Sequence, residues 1–152
     1  MPGRVLGVDV GARRIGLAIS DPSGTLARPL RTLTIGGIEQ AAGALAAEIA
    51  ALSAEDDGLA GVVIGLPAHL DGTPSDETFK VLKLADRLSA RVAVPIDFED
   101  ERLTSREAEG RLAIRERDWK VRKARLDAAA AAVILQEYLH RTRPAKPSGR
   151  EG

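Results

Sequence analysis

Three acidic positions in this chain of 152 residues sit where a carboxylate needs a reason. Asp9 interrupts the apolar run VLGVDV at residues 5–10, and an unpaired charge among residues bound for a core is expensive to bury. Asp100 and Glu101, within FEDER, follow the apolar segment VAVPIDF at residues 92–98. Asp127 opens DAAAAAVILQEYL, residues 127–139, whose alanines would let a helix backbone pack closely on a neighbour. Carboxylates converging from separate segments repel one another, so such a constellation calls for a cation. With oxygen ligands and no cysteine in the chain, the fitting ion is hard, Mg²⁺ or Mn²⁺. Two such ions about 4 Å apart activate a water and stabilise the leaving oxygen in phosphodiester hydrolysis.

Each acid also has a plainer reading. Asp9 could hydrogen-bond the turn that follows it, and Asp100 and Glu101 could pair with Arg102 in an exposed loop. Asp127 could be an acid at a helix N-terminus, favoured there by the helix dipole.

The basic residues are unevenly spread. The chain carries 22 basic and 22 acidic residues, a formal net charge of zero, so distribution rather than total bears on a polyanionic partner. Residues 111–125 hold Arg111, Arg115, Arg117, Lys120, Arg122, Lys123 and Arg125 against Glu116 and Asp118. Trp119, the one tryptophan, lies inside this run. An indole there could stack on a base while Lys120, Arg122, Lys123 and Arg125 meet phosphates, or it could cover a sheet beside solvated charge. Arg13 and Arg14, just past Asp9, could contact phosphate or pair with the acids.

The elements that would carry these residues follow from periodicity. Residues 4–10 and 14–20 read as two strands of an antiparallel hairpin, and 25–34 as a third strand. Ile38, Ala42, Leu45, Ile49 and Leu52 recur at helical spacing. Residues 59–67 form a short apolar run suited to a strand buried on both faces. Thr73 as N-cap and Pro74 at the first helical position predict a helix to about Leu88. Residues 92–98 read as a further strand, with Pro95 marking an edge. A capping box from Thr104 to Glu107 opens a helix to about Arg115. A basic connection then leads into a last helix at 126–141 and a flexible basic tail at 142–152. The order is that of a mixed α/β, three-layer arrangement. The length fits one domain, residues 1–141. The missing cysteines, the charged N-terminal stretch and the lack of a long apolar run point to a soluble cytoplasmic protein with no membrane contact.

Four ordered motifs then carry a resemblance. GVDVGARRIGLAISD (7–21), VIGLPAHLDGT (63–73), DERLTS (100–105) and DAAAAAVILQEYL (127–139) closely resemble those of the YqgF/RuvX family, Holliday junction resolvases also described as nucleases of pre-16S ribosomal RNA. The resemblance implies a ribonuclease H-like fold: a five-stranded mixed sheet in the element order βββαβαβα, plus an extra C-terminal helix. It implies a metal-binding and catalytic site of Asp9 on the central strand, Glu101 (with Asp100 the other candidate) and Asp127 on the last helix. A nuclease of this kind would act on pre-16S rRNA or branched DNA, work as a monomer or homodimer, and meet ribosomal precursor particles. The chain departs from the family where Leu-Asn-Met is common and Ala68-His69-Leu70 stands here. Related junction resolvases also carry an acid after the fourth strand, where this chain has Gly65-Leu66-Pro67. His69 reads as a loop residue.

Two rival functions use the same residues. A non-catalytic RNA- or ribosome-associated factor would keep the fold and the basic surface. An ATP-binding protein of the actin-like or sugar-kinase type would use the GVDVG hairpin to bind phosphate. Such proteins close two domains around the nucleotide, whereas this length allows one, and no GxxxxGK[ST] loop occurs in the chain.

Overall fold

The computed structural model describes residues 3–100 and 119–142, with side chains from residue 126 onward in the second stretch. Glu101, the Thr104–Glu107 capping box with its helix, and the tail beyond 142 lie outside the described residues, as do the side chains of Trp119, Lys120, Arg122, Lys123 and Arg125.

Alternating apolar residues build the sheet. β1 (Val5–Val10) and β2 (Arg14–Ser20) form the expected antiparallel hairpin, closed where the Gly11 N–H donates to the Arg14 carbonyl at 2.8 Å. β3 (Ala27–Thr34) adds antiparallel to β2. α1 (Ile38–Ala54) carries the chain to β4 (Gly61–Leu66), and α2 (Asp76–Ser89) carries it to β5 (Ile96–Asp100). β4 and β5 join in parallel, as strands linked through helices do. The sheet runs β3-β2-β1-β4-β5, so Asp9 stands on the central strand. α3, described over Trp119–Thr142, completes the order.

The two faces of the sheet bury different partners. Leu6, Val8, Ile15, Leu17, Ile19, Val62 and Ile64 pack against Leu45, Ile49 and Leu52 of α1 and Val81, Leu84 and Leu88 of α2. On the opposite face Ala18 and Val63 meet Ala131, Leu135 and Leu139 of α3. β4 is therefore covered on both faces, as its unbroken apolar run predicts. The result is the three-layer arrangement of α1 and α2, sheet, and α3. Among the described residues no helix is long and apolar enough to cross a membrane.

α3 lies close to the sheet because glycine and alanine face each other. A Cβ on Gly7 would fall 2.8 Å from the Leu135 Cβ and 3.0 Å from the Ala131 carbonyl oxygen. A Cβ on Gly16 would run into the Asp127 carbonyl. The alanine run thus packs closely, as the sequence suggests, and the neighbours it needs are these two glycines.

Three boundaries differ from the sequence reading. α2 is capped by Ser75 rather than Thr73: Ser75 and Thr78 exchange a capping box. The Thr73 backbone N–H and hydroxyl both go to Asp71 Oδ1, at 2.9 and 2.7 Å. Asp71 draws Thr73 into a local turn, and Pro74 falls before the helix instead of inside it. β5 starts after Pro95, whose carbonyl still accepts the Val62 N–H at 3.0 Å, and extends to Asp100. It is an edge strand among those described, as Pro95 suggests. α3 is already helical at Trp119, so residues 119–125 belong to a helix rather than to an irregular connection.

The β2–β3 turn is organised by Asp21. Its Oδ1 accepts the Thr25 and Leu26 N–H groups at 2.8 and 2.9 Å, and Oδ2 accepts the Ser23 hydroxyl at 2.5 Å. The Ser23 bond first, then those from Leu26 and Thr25, lower its pKa from 3.8 to about 2. A depressed carboxylate stabilises the fold fully above its unfolded value and loses that contribution as pH falls through the folded one. Asp21→Asn should therefore lower the urea midpoint at neutral pH, with the difference from wild type vanishing as pH falls from about 4 to 2. A difference independent of pH would show that the charge contributes nothing to the turn.

Candidate functional site

Strand alternation decides which acids share a face. On β1, Leu6 and Val8 turn toward α1 and α2, so Gly7 and Asp9 turn toward α3. Asp9 is directly opposite Gly16 of β2. Gly16 in turn lies under the α3 backbone at Asp127. Two of the three predicted acids, 118 residues apart in sequence, are thus brought to one face by a glycine that leaves room for the helix. The residue paired with Asp9 on β2 is therefore a glycine, which projects no side chain beside it. On its other side β1 pairs with β4 as far as Val8 and Ile64, and Gly65 follows Ile64 in β4.

Arg14 supplies the local positive charge. It starts β2, two residues before Gly16, and its Nε donates to Asp127 Oδ2 at 2.8 Å. The side chains are 31% and 25% exposed, so the pair is only partly screened by solvent. Of the two roles the sequence leaves open for this residue, pairing with an acid is the one the geometry shows. Arg13 is exposed in the turn, its carbonyl accepting the Ile35 N–H at 2.9 Å.

Asp127 does not cap a helix. It lies about two turns inside the described part of α3, beyond the reach of the dipole argument. Positions 120, 123 and 127 fall on one stripe of that helix, so the basic segment leads along α3 toward Asp127.

Asp100 ends β5 at an exposed position, and alternation sets it on the side of Ile96 and Phe98, which pack toward α1 and α2. Asp97 and Glu99 are the β5 acids on the α3 side. The sequence reading passed over both, although the alternation in IDFED marks them. The Tyr138 hydroxyl donates to Asp97 Oδ2 at 3.0 Å, and Arg141 donates to Glu99 Oε1 through Nε and Nη2 at 2.9 and 2.6 Å. Burial first, then the bond to Asp97, raises the Tyr138 pKa. These contacts pin the C-terminal half of α3 to the sheet.

His69 is a loop residue as expected: its N–H donates to the Thr73 carbonyl at 2.9 Å, and its own carbonyl accepts the Gly72 N–H at 2.8 Å. Among the described residues no group of three or more His, Cys, Asp or Glu could hold a metal ion. Asp9 and Asp127 fit a hard divalent cation in kind, offering oxygen and no sulfur, and Glu101, the third predicted ligand, lies outside the described residues.

Residues 3–141 match the family model described as RuvX: Holliday junction resolvase. A relative from Dechloromonas aromatica, named "Putative pre-16S rRNA nuclease", is 39% identical over 149 residues, 96% of this chain and 99% of its own. A relative of the same name from Anaeromyxobacter dehalogenans is 40% identical over 141 residues, 93% of this chain and 99% of its own. One from Nocardioides is 44% identical over 138 residues, 88% of this chain and 85% of its own. Among solved structures, RuvC of T. thermophilus in complex with a Holliday junction substrate aligns at TM-score 0.53 and 16% identity, over 93% of this chain and 96% of that one. The likeness establishes the ribonuclease H-like fold expected from the motifs.

Proposed function

Because the chain belongs to the RuvX family, we propose that it is a metal-dependent hydrolase of phosphodiester bonds in structured nucleic acid, acting at the 5′ end of pre-16S rRNA. The observation that carries this reading is the convergence of Asp9 and Asp127 on one face of the sheet across Gly16. Two carboxylates set on one face by the central strand and the last helix repel each other unless a cation is near, and among the described residues the Arg14 side chain meets only Asp127 Oδ2. Glu101 completes the ligand set, with Asp100 less suited by its strand face. A bound Mg²⁺ or Mn²⁺ supplies Lewis acidity toward the scissile phosphate and the attacking water.

The chain's own residues hold and orient the substrate. Arg13 and Arg14 flank the acids from the hairpin turn. Lys120 and Lys123 fall on the stripe of α3 that leads to Asp127, and with Arg122, Arg125 and Trp119 they are the residues we assign to phosphate contact and base stacking. The family match supports one domain over residues 1–141, followed by a basic tail at 142–152.

The test is cleavage by purified protein of an RNA spanning the 5′ end of pre-16S rRNA, beside a four-way DNA junction, in Mg²⁺ or Mn²⁺. Cuts in the RNA that need the metal are expected. Cutting of the junction alone would move the substrate to branched DNA. Binding of either substrate without cleavage would favour the non-catalytic factor.

A further inference from the structure

We propose that Arg14 is a positioning residue that occupies the cation's place at Asp127 in the free protein and turns to a nucleic-acid phosphate when a divalent ion displaces it. This inference rests on the nuclease reading above. Arg14 holds Asp127 by one edge, Nε to Oδ2 at 2.8 Å. Among the described residues the two terminal nitrogens of Arg14 and Oδ1 of Asp127 make no other hydrogen bond or ion pair. The bond engages one carboxylate oxygen through Nε, and the Arg14 side chain is 31% exposed.

Two cations at one carboxylate repel each other. An ion held by Asp9 and Asp127 would lie on the face that Arg14 shares, and its like charge would weaken the guanidinium's hold on Oδ2 and favour its release. The anion that matches the released group is a phosphate, which accepts the planar fork bidentately. Arg14 is anchored on β2, two residues from the glycine opposite Asp9, so the phosphate it binds lies beside the metal site. Metal and nucleic acid then assist each other's binding, and linkage requires the assistance to be equal in both directions. Without substrate, Arg14 weakens metal binding; with substrate, it strengthens it.

The experiment titrates Mn²⁺ calorimetrically into the free protein as wild type, Arg14→Gln, Arg14→Lys, Arg13→Gln and Asp127→Asn. Arg14→Gln should bind Mn²⁺ about fivefold tighter than wild type, the scale of a partly exposed ion pair. Arg14→Lys, which keeps the paired charge, should stay near wild type. Arg13→Gln removes the same charge from a neighbouring exposed position and should change the affinity less. Affinity for a short RNA duplex should rise more on adding Ca²⁺, a hard ion of the same charge, for wild type than for Arg14→Gln. Urea midpoints check folding, and Arg14→Met provides a second neutral side chain. Mn²⁺ affinity in Arg14→Gln equal to or weaker than wild type, with Asp127→Asn weakened, overturns the role of Arg14 and leaves the nuclease reading intact. Mn²⁺ binding absent from wild type, or untouched in Asp127→Asn, overturns both.

Discussion

Asp9→Asn should retain the fold and lose roughly 10³-fold in the rate of metal-dependent cleavage, since loss of a ligand forfeits several kcal/mol of transition-state stabilisation. The substitution is close to isosteric on the central strand, and the residue opposite it is a glycine, so no packing changes. What it removes is one of the three carboxylates proposed to draw the ion to this face. An unchanged urea midpoint with cleavage lost would assign Asp9 to chemistry. A variant that cuts at the wild-type rate would return Asp9 to the plainer role of bonding its own turn.

Gly16→Ala should be among the most destabilising single substitutions in the sheet, costing about 3 kcal/mol or more. The added methyl would occupy the space of the Asp127 carbonyl, a backbone atom that cannot rotate away. α3 has to lift from β2, which also carries Asp127 away from Asp9. Stability and cleavage should therefore fall together, read as the urea midpoint and the rate on folded protein. Gly43, where an added Cβ meets nothing within 4 Å, supplies the control: Gly43→Ala in α1 should be neutral or stabilising. If Gly16→Ala kept the wild-type midpoint, the close approach of α3 would not be what unites the site.

The sequence carried the local parts of this structure and left the long-range ones open. The hairpin and β4 were legible because a period of two, or an unbroken apolar run, is written in the residues themselves. Residues 119–125 read as a loop because their charge drew attention, although Lys, Arg and Ala are good helix formers. That shift matters, since it removes Asp127 from a helix end and makes its charge harder to explain without a partner. Thr73 lost the cap to Ser75 because Asp71, two residues earlier, offered it a nearer bond.

The site itself was half legible. Asp9 stood out against its apolar neighbours, and the alanine run announced a close approach without saying to what. Gly7 and Gly16 became its partners only through folding, because each lies more than a hundred residues from the helix it admits. The Arg14–Asp127 pair spans 113 residues and is invisible to any local pattern.

The convergence of Asp9 and Asp127 on one ion is best tested by a double-mutant cycle on Mn²⁺ affinity, using wild type, Asp9→Asn, Asp127→Asn and the double variant. Ligands of a common ion are coupled. Each single variant should weaken binding about 10- to 100-fold, and the double variant should bind little worse than either single one. Losses that simply add, or a single variant with wild-type affinity, would mean that the two carboxylates do not share a site.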